Sequence, residues 1–305
     1  MIISVYFSNE TVQILKGRAK KNVIQVHSFY QEPIPEATLL NGVITNDAAM
    51  TSLLKRLVVT GKLPTQKIDL LVDSGSILVK RTPVPILPPK KLMAVTKDEF
   101  AELGSNYQEL LYDYSVLKPR NEDGKGGVIL CSAMERNFVK SYVELFRKQG
   151  VTLRSIDLAL GAKIRLAQIL PELKQNTFAL SILEGNSVVS SLFTGGKYML
   201  TNRTRLLGER GTPQAAWEMT QTISSLIQFN KAQKIENDLT HAYICGLGKN
   251  ESQLCNALSN SLGISIEPLP ESIAVSVDSG CTGYQLENAF YATGNLLRKE
   301  GVFHG

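Results

Sequence analysis

The chain has 305 residues, 43% hydrophobic and 20% charged, an ordinary globular composition that excludes collagen-like and disordered classes. Its net charge of +5, from 33 Lys and Arg against 28 Asp and Glu, is too diffuse for a nucleic-acid protein. The four cysteines (Cys131, Cys245, Cys255, Cys281) are far apart and share no motif with the three histidines, so metal ligation has no support and buried, reduced thiols are expected.

The first thirty residues predict three short strands, 2–7, 11–15 and 22–30, joined by turns at Ser8-Asn9-Glu10 and Gly17-Arg18. Lys16, Arg18, Lys20 and Lys21 surround the second turn. They form either a solvated hairpin end or a contact for anionic lipid headgroups. A proline-containing loop over 31–45 leads to a helix starting at Asp47, whose apolar Met50, Leu53, Leu54, Leu57 and Val58 fall three and four apart. A buried strand at 68–72 completes the order β-β-β-α-β. No run approaches the ~20 apolar residues of a membrane span, and the opening strand-like run leaves no room for a signal peptide.

The segment from about 77 to 155 has a different rhythm. A strand at 78–83 enters a proline stretch (Pro83, Pro85, Pro88, Pro89), followed by a helix at 90–103 and a strand at 111–117. A charged turn over 121–127 precedes a strand at 128–132, and a helix at 134–149 shows Phe138, Tyr142, Leu145 and Phe146 on one face. This α+β pattern is large enough for a small inserted subdomain. A helix at 158–170 then crosses to strands 178–183, 187–193 and 197–201, with turns at Glu184-Gly185-Asn186 and Gly195-Gly196. A long helix, 212–232, carries Ala216, Met219, Ile223, Leu226 and Ile227 as a stripe, with Trp217 expected in the core beside it. Strand 241–245, the turn Gly246-Leu247-Gly248 and a helix at 250–262, with a capping-box-like start at Asn250 and Gln253, repeat β-β-β-α-β about 175 residues after its first occurrence.

Two such lobes with an insertion in the first resemble the actin-like order of actin, the sugar kinases and FtsA. Within it, Gln31–Pro35 with Asn41–Thr45, Tyr112–Leu117, Val128–Ala133 with Val139–Gly150, Thr220–Phe229 and Tyr291–Arg298 resemble successive stretches of the PilM family of type IV pilus assembly proteins. The resemblance implies an α/β, two-lobe actin-like (ribonuclease H-like) fold. Its N-terminal lobe would cover 1–172, with an FtsA-like subdomain at about 77–155, and its C-terminal lobe 173–305. It further implies a cytoplasmic scaffold, peripheral to the inner membrane, that binds the cytoplasmic tail of a PilN-like membrane protein and other pilus assembly proteins.

In ATPases of that fold, the first hairpin turn of each lobe cradles phosphates, and an Asp before each turn serves Mg²⁺ or the attacking water. Aligning the turns places Tyr6 and Ser181 at the two Asp positions, Ser8 and Leu183 at the glycines and Gln13 at the lysine. Both carboxylates are missing, so no catalytic residue, metal or cofactor is expected. Glu10 and Glu184 are read as solvated hairpin glutamates. Ser8, Asn9, Gly185, Gly246, Gly248 and Lys249 would line a vestigial nucleotide site at most, ATP with Mg²⁺ being the one group left open. Asp73-Ser74-Gly75-Ser76 and Asp278-Ser279-Gly280-Cys281 read as loop starts bonded to nearby backbone.

The partner groove implied by the resemblance lies between the first lobe and the insert, at Lys80, Pro83, Pro85, Leu92, Met93 and Thr96. Prolines there fit an edge strand, since proline cannot donate to a ladder. The competing class is an enzyme, a divergent actin-like ATPase or small-molecule kinase binding ATP between the lobes. A third is a related scaffold of a type II secretion system or of FtsA-like division proteins. FtsA ends in an amphipathic membrane helix, which Gly301–Gly305 here does not resemble.

Overall fold

The computed structural model describes residues 1–106, 109–121, 124–174, 176–233, 238–248, 251 and 253–298. The chain opens with β1 (Ile2–Phe7), β2 (Thr11–Lys20), β3 (Val23–Pro33), the small β4 (Leu39–Leu40) and β5 (Val43–Ile44), α1 (Asp47–Val59) and β6 (Ile68–Val72). Next come β7 (Leu78–Pro85), α2 (Pro89–Glu99), a 3₁₀ turn, β8 (Leu110–Lys118), β9 (Gly126–Glu135), α3 (Arg136–Lys148), β10 (Leu153–Leu158) and α4 (Ala159–Ile169). The second half holds β11 (Phe178–Glu184), β12 (Ser187–Thr194), β13 (Lys197–Arg205), α5 (Pro213–Ala232), β14 (His241–Cys245), α6 (Leu254–Leu262), β15 (Ser265–Pro268), β16 (Val275–Val277) and α7 (Phe290–Asn295).

Two mixed sheets form the lobes, in the orders β10-β6-β1-β2-β3-β16 and β13-β12-β11-β14-β15. In each, a β-meander pairs antiparallel and its first strand pairs in parallel with the strand after the helix, β1 with β6 and β11 with β14. That is the repeated β-β-β-α-β of the sequence. β6 is buried at all five positions, as expected of a parallel strand covered on both faces. Local signals set the helix starts: the Asn46 side chain accepts from Ala49 N–H at the head of α1, and Thr212 accepts from Ala215 N–H with Pro213 in the first turn of α5.

Among the described residues, four apolar cores follow from these layers. One packs α1 and α3 on the first sheet, through Val5, Phe7, Leu54 and Leu70 against Phe138, Tyr142 and Phe146. Another packs α5 and α6 on the second sheet, through Leu183, Val188, Met219 and Leu258. A third, the largest, runs between the lobes. It joins Tyr6, Leu15 and Leu71 to Phe178, Ile182 and Tyr243 by way of α4 and α7. The smallest fills the three-stranded sheet β7-β9-β8 with Leu92 and Phe100.

Three features differ from the sequence reading. The segment read as one insertion over about 77–155 divides, because the apolar face of α3 packs against α1 in the first lobe's core and β10 joins β6 in parallel. Only β7, α2, β8 and β9 form the small separate sheet and its cover. The C-terminal part also returns to the first lobe, where β16 pairs with β3 and α7 packs on α4, β1, β2 and β6. Finally, Gly17 is not a turn. β2 runs through it to Lys20, and a Cβ at Gly17 would lie 2.6 Å from both the Gln25 carbonyl oxygen and Leu296 Cδ1, so the missing side chain admits strand β3 and the end of α7.

Trp217, expected in the core, is 62% exposed on α5. Residues 249, 250 and 304 lie outside the described residues, so the roles read for Lys249 and Asn250 are not placed. Among the described residues no helix is long and apolar enough to cross a membrane.

Candidate functional site

The two first hairpins of the lobes meet across a cleft of about 270 Å³, lined by Ser8, Glu10, Gln13, Glu184, Gly185, Arg210, Gly246, Glu287, Asn288 and Tyr291 among others. Tyr6 of β1 stands behind its wall. The side chain is buried, its ring stands 5.2 Å from that of Tyr291, and its hydroxyl donates to Glu184 Oε2 at 2.6 Å. This hydrogen bond joins the first lobe to the second. Burial, reinforced by the charge of Asp73, pushes the Glu184 carboxyl up to about 8, although the Tyr6 hydrogen bond partly offsets the shift. Glu184 is therefore largely protonated at neutral pH, and it is not the solvated hairpin residue its position suggested. Glu10 is exposed, but its carboxylate abuts Gly185 of the other lobe so closely that a Cβ there would collide with it.

The alignment of Ser181 with a metal-serving Asp is corrected by the register. Successive strand residues face opposite sides of a sheet. On β11, Phe178, Leu180 and Ile182 join the core between the lobes, while Ala179 and Leu183 join the core under α5. Ser181 pairs with Ser190 on that latter side, their hydroxyls 2.7 Å apart and both fully buried. Tyr6 pairs in parallel with Leu71 just as Ile182 pairs with Cys245, so Ile182 is the counterpart of Tyr6. A phenol and a sec-butyl side chain stand at the two positions facing between the lobes, and neither supplies the anionic oxygen that Mg²⁺ requires.

At the first turn the N–H groups of Ser8, Glu10 and Thr11 are engaged within the chain. Ser8 Oγ accepts from Thr11 N–H at 2.9 Å and Glu10 N–H at 3.2 Å, and Ser8 N–H bonds Thr11 O at 2.9 Å. Asn9 turns away from the cleft, its Oδ1 accepting from Gly42 N–H at 3.4 Å. Gln13 donates to Asn288 O at 2.8 Å. On the turn after β14, Gly248 N–H donates to Glu251 Oε2 at 2.7 Å, and Glu251 forms an ion pair with Arg210, which also donates to Gly246 O at 2.7 Å. Burial opposes ionisation of Glu251, yet these hydrogen bonds outweigh it and hold the carboxyl below the usual range. Arg210, the cation lining the cleft, is thus already paired.

Sequence reasoning missed Lys163, which is wholly buried on α4. Its ammonium donates to Val189 O at 2.9 Å, Ser191 Oγ at 3.0 Å and Leu180 O at 3.4 Å, fastening α4 to the second sheet. Burial lowers its pKa to about 7. The available signal was one lysine inside the apolar run Ala159–Ile169, which reads equally well as a surface position.

A second cavity, about 170 Å³, opens where both lobes meet the root of the small sheet. Val72, Ile77, Val79, Leu158, Leu160 and Val189 give it apolar walls. Asp73 and Arg203 bridge it from opposite lobes, with Nη2 2.6 Å from Oδ2. Asp73 was expected to bond nearby backbone, and the partner across the lobes was not foreseen. β7 bounds this cavity through Val79 and pairs only with β9, so its other edge has no strand partner among the described residues. Of the groove residues expected from sequence, Pro83 and Pro85 lie exposed on β7, Met93 is partly exposed, and Lys80 is ion-paired with Glu99. Leu92 and Thr96 face inward, because α2 turns this stripe onto its own sheet. Thr96 donates to Leu92 O at 3.0 Å and packs beside Cys131, so neither residue is available to a partner.

The family profile described as type IV pilus assembly protein PilM matches residues 4–209, more than half of the chain. No curated protein is matched. Among solved structures, a PilM–PilN type IV pilus biogenesis complex aligns over 97% of this chain and 97% of that chain, at 17% identity and a TM-score of 0.79. A Bacteroides thetaiotaomicron protein with actin-like ATPase fold and unknown function aligns over 98% of this chain and 96% of its own, at 13% identity and a TM-score of 0.55. The two similarities agree with the paired β-β-β-α-β sheets in assigning an actin-like α/β fold, and on the profile match the chain belongs to the type IV pilus assembly protein PilM family.

Proposed function

We propose that this chain is a cytoplasmic scaffold of type IV pilus assembly that does not hydrolyse ATP. In this reading it is held at the inner membrane by capturing, in extended form, the cytoplasmic tail of a PilN-like membrane protein. The carrying observation is the Tyr6–Glu184 hydrogen bond, which occupies the point between the lobes where a nucleotide's metal would need carboxylates. A polyphosphate entering there would meet the carboxyl groups of Glu10, Glu184 and Glu287 and one arginine already paired. The residues present do not fit a Mg²⁺–nucleotide.

The family and the complex with PilN support the class of partner. The junction cavity supports the place: apolar walls for one or two side chains, a charged pair at the rim, and beside it the unpaired edge of β7, the combination that suits an added strand. Titrating the purified chain with a synthetic tail of the neighbouring membrane protein tests this. Saturable micromolar binding that Val79→Asp abolishes is expected, and no binding at high micromolar tail would sink the reading. Separately, melting with and without millimolar MgATP should give no shift. A shift of several degrees with phosphate release would favour the ATPase alternative, since a ligand present at 100 times its Kd stabilises by about 2.7 kcal/mol.

A further inference from the structure

The outer end of the β2–β3 hairpin takes no part in the cleft or the junction. Arg18, Lys20 and Lys21 are exposed there, and among the described residues neither Lys20 nor Lys21 enters an ion pair. The register sets Lys20 directly opposite Val23 and Arg18 opposite Gln25, which puts the two cations and the valine on one face of the hairpin. Val23 is 53% exposed. β16 pairs in parallel with β3 at Val275 and Ile24, and Ile24 N–H donates to Ala274 O at 2.8 Å. One residue earlier stands Ile273, 89% exposed, where the β16–β3 register runs on toward the Lys21-Asn22 turn. Two segments 250 residues apart in sequence thus bring exposed aliphatic side chains to one tip ringed by cations.

The nearby acids are engaged by protein donors. Asp278 accepts from Gln25 at 2.8 Å and pairs with His27, Glu271 accepts from Leu286 N–H, and Glu172 accepts from Ser272. We propose that this tip is a docking surface for an anionic lipid membrane. Val23 and Ile273 would sit at headgroup depth, and Lys20, Lys21 and Arg18 would face lipid phosphates, their long stems lying along the aliphatic side chains. A nucleic acid would match the cations but gain nothing from two exposed aliphatics, and the tip carries no aromatic ring on which a base could stack. The contact is independent of tail capture. Engaged together, the two contacts would fix the scaffold's orientation against the bilayer.

Vesicle co-sedimentation of the whole chain, with no partner peptide present, tests the proposal. Binding to vesicles of equimolar phosphatidylcholine and phosphatidylglycerol is expected, with none to phosphatidylcholine alone and a steep loss as salt rises. Lys20→Glu and Lys21→Glu should each lower affinity by about five-fold or more. Ile273→Ser should weaken binding while leaving its salt dependence in place. All three sites are exposed, so melting temperatures should hold. The proposal is overturned by absence of binding to the mixed vesicles at low salt, by equal binding to neutral vesicles, by variants that bind like the parent, or by a short duplex that displaces the vesicles.

Discussion

The interlobe cleft and the junction cavity share one wall, the ring of Tyr291, yet they are built in opposite ways. In the cleft, Ser8 bonds within its own turn, and Gln13, Glu184 and Arg210 bond to other parts of the chain, so its polarity faces inward. At the junction, a strand edge and a patch of aliphatic surface lack such partners within the described residues, and one cross-lobe ion pair closes the rim. A polar lining alone therefore does not identify a binding site. What matters is whether the donors and acceptors still need a partner.

The sharpest way to break this contrast is Tyr6→Ala. Removing a fully buried ring that braces both lobes should cost about 3–5 kcal/mol of stability, read by urea denaturation. If the emptied cleft then bound MgATP, Tyr6 would be a plug in a working site. No binding would mean that the cleft excludes nucleotide without the ring, as the missing carboxylates require.

A middle-sized effect is expected for Glu184→Gln. The Glu184 carboxyl is raised to about 8 in the folded chain from an ordinary value of 4.5, so the folded state holds its proton longer than the unfolded state. Its contribution is complete below 4.5 and is lost as pH climbs through about 8, with a slope of at most about 1.4 kcal/mol per pH unit. Lys163 works in the opposite sense. Depressed to about 7 from 10.5, it contributes stability fully above 10.5 and loses it as pH falls through about 7. Comparing urea midpoints of Glu184→Gln and parent across this range isolates the carboxyl, and parallel curves would show that the cross-lobe bond does not depend on its titration.

The smallest stability effect belongs to Arg203→Ala. Both members of its pair with Asp73 are partly exposed, so the loss should be about 1 kcal/mol or less. Tail affinity should nonetheless drop several-fold if the pair shapes the rim of the junction, and an unchanged affinity would move the partner elsewhere.

Where periodicity or turn chemistry was local, the sequence was a reliable guide: β1, β6 and β14 have the bounds read for them, and both β-β-β-α-β repeats are present. Long-range pairing was not legible. β10 reads as mixed polar sequence because Arg154 and Ser155 are committed to buried Asp69, and β16 is too short to show alternation. The same blindness moved Ser181 into the cleft, since a one-residue offset on a strand reverses which face a side chain occupies. Tyr6 was legible because its substitution for an acid is visible in the string, whereas its partner Glu184 is 178 residues away. Trp217 was misread because helical spacing gives a stripe but not its width.

The return of β16 and α7 to the first lobe has a consequence for how the molecule is made. During vectorial synthesis the opening strands emerge early, yet their sheet lacks an edge and α4 lacks its neighbour until residues 275–295 have left the ribosome. The first lobe must therefore wait, with β3 and part of α4 uncovered, for residues 275–295. Nascent chains stalled short of that segment should be the form most readily held by chaperones.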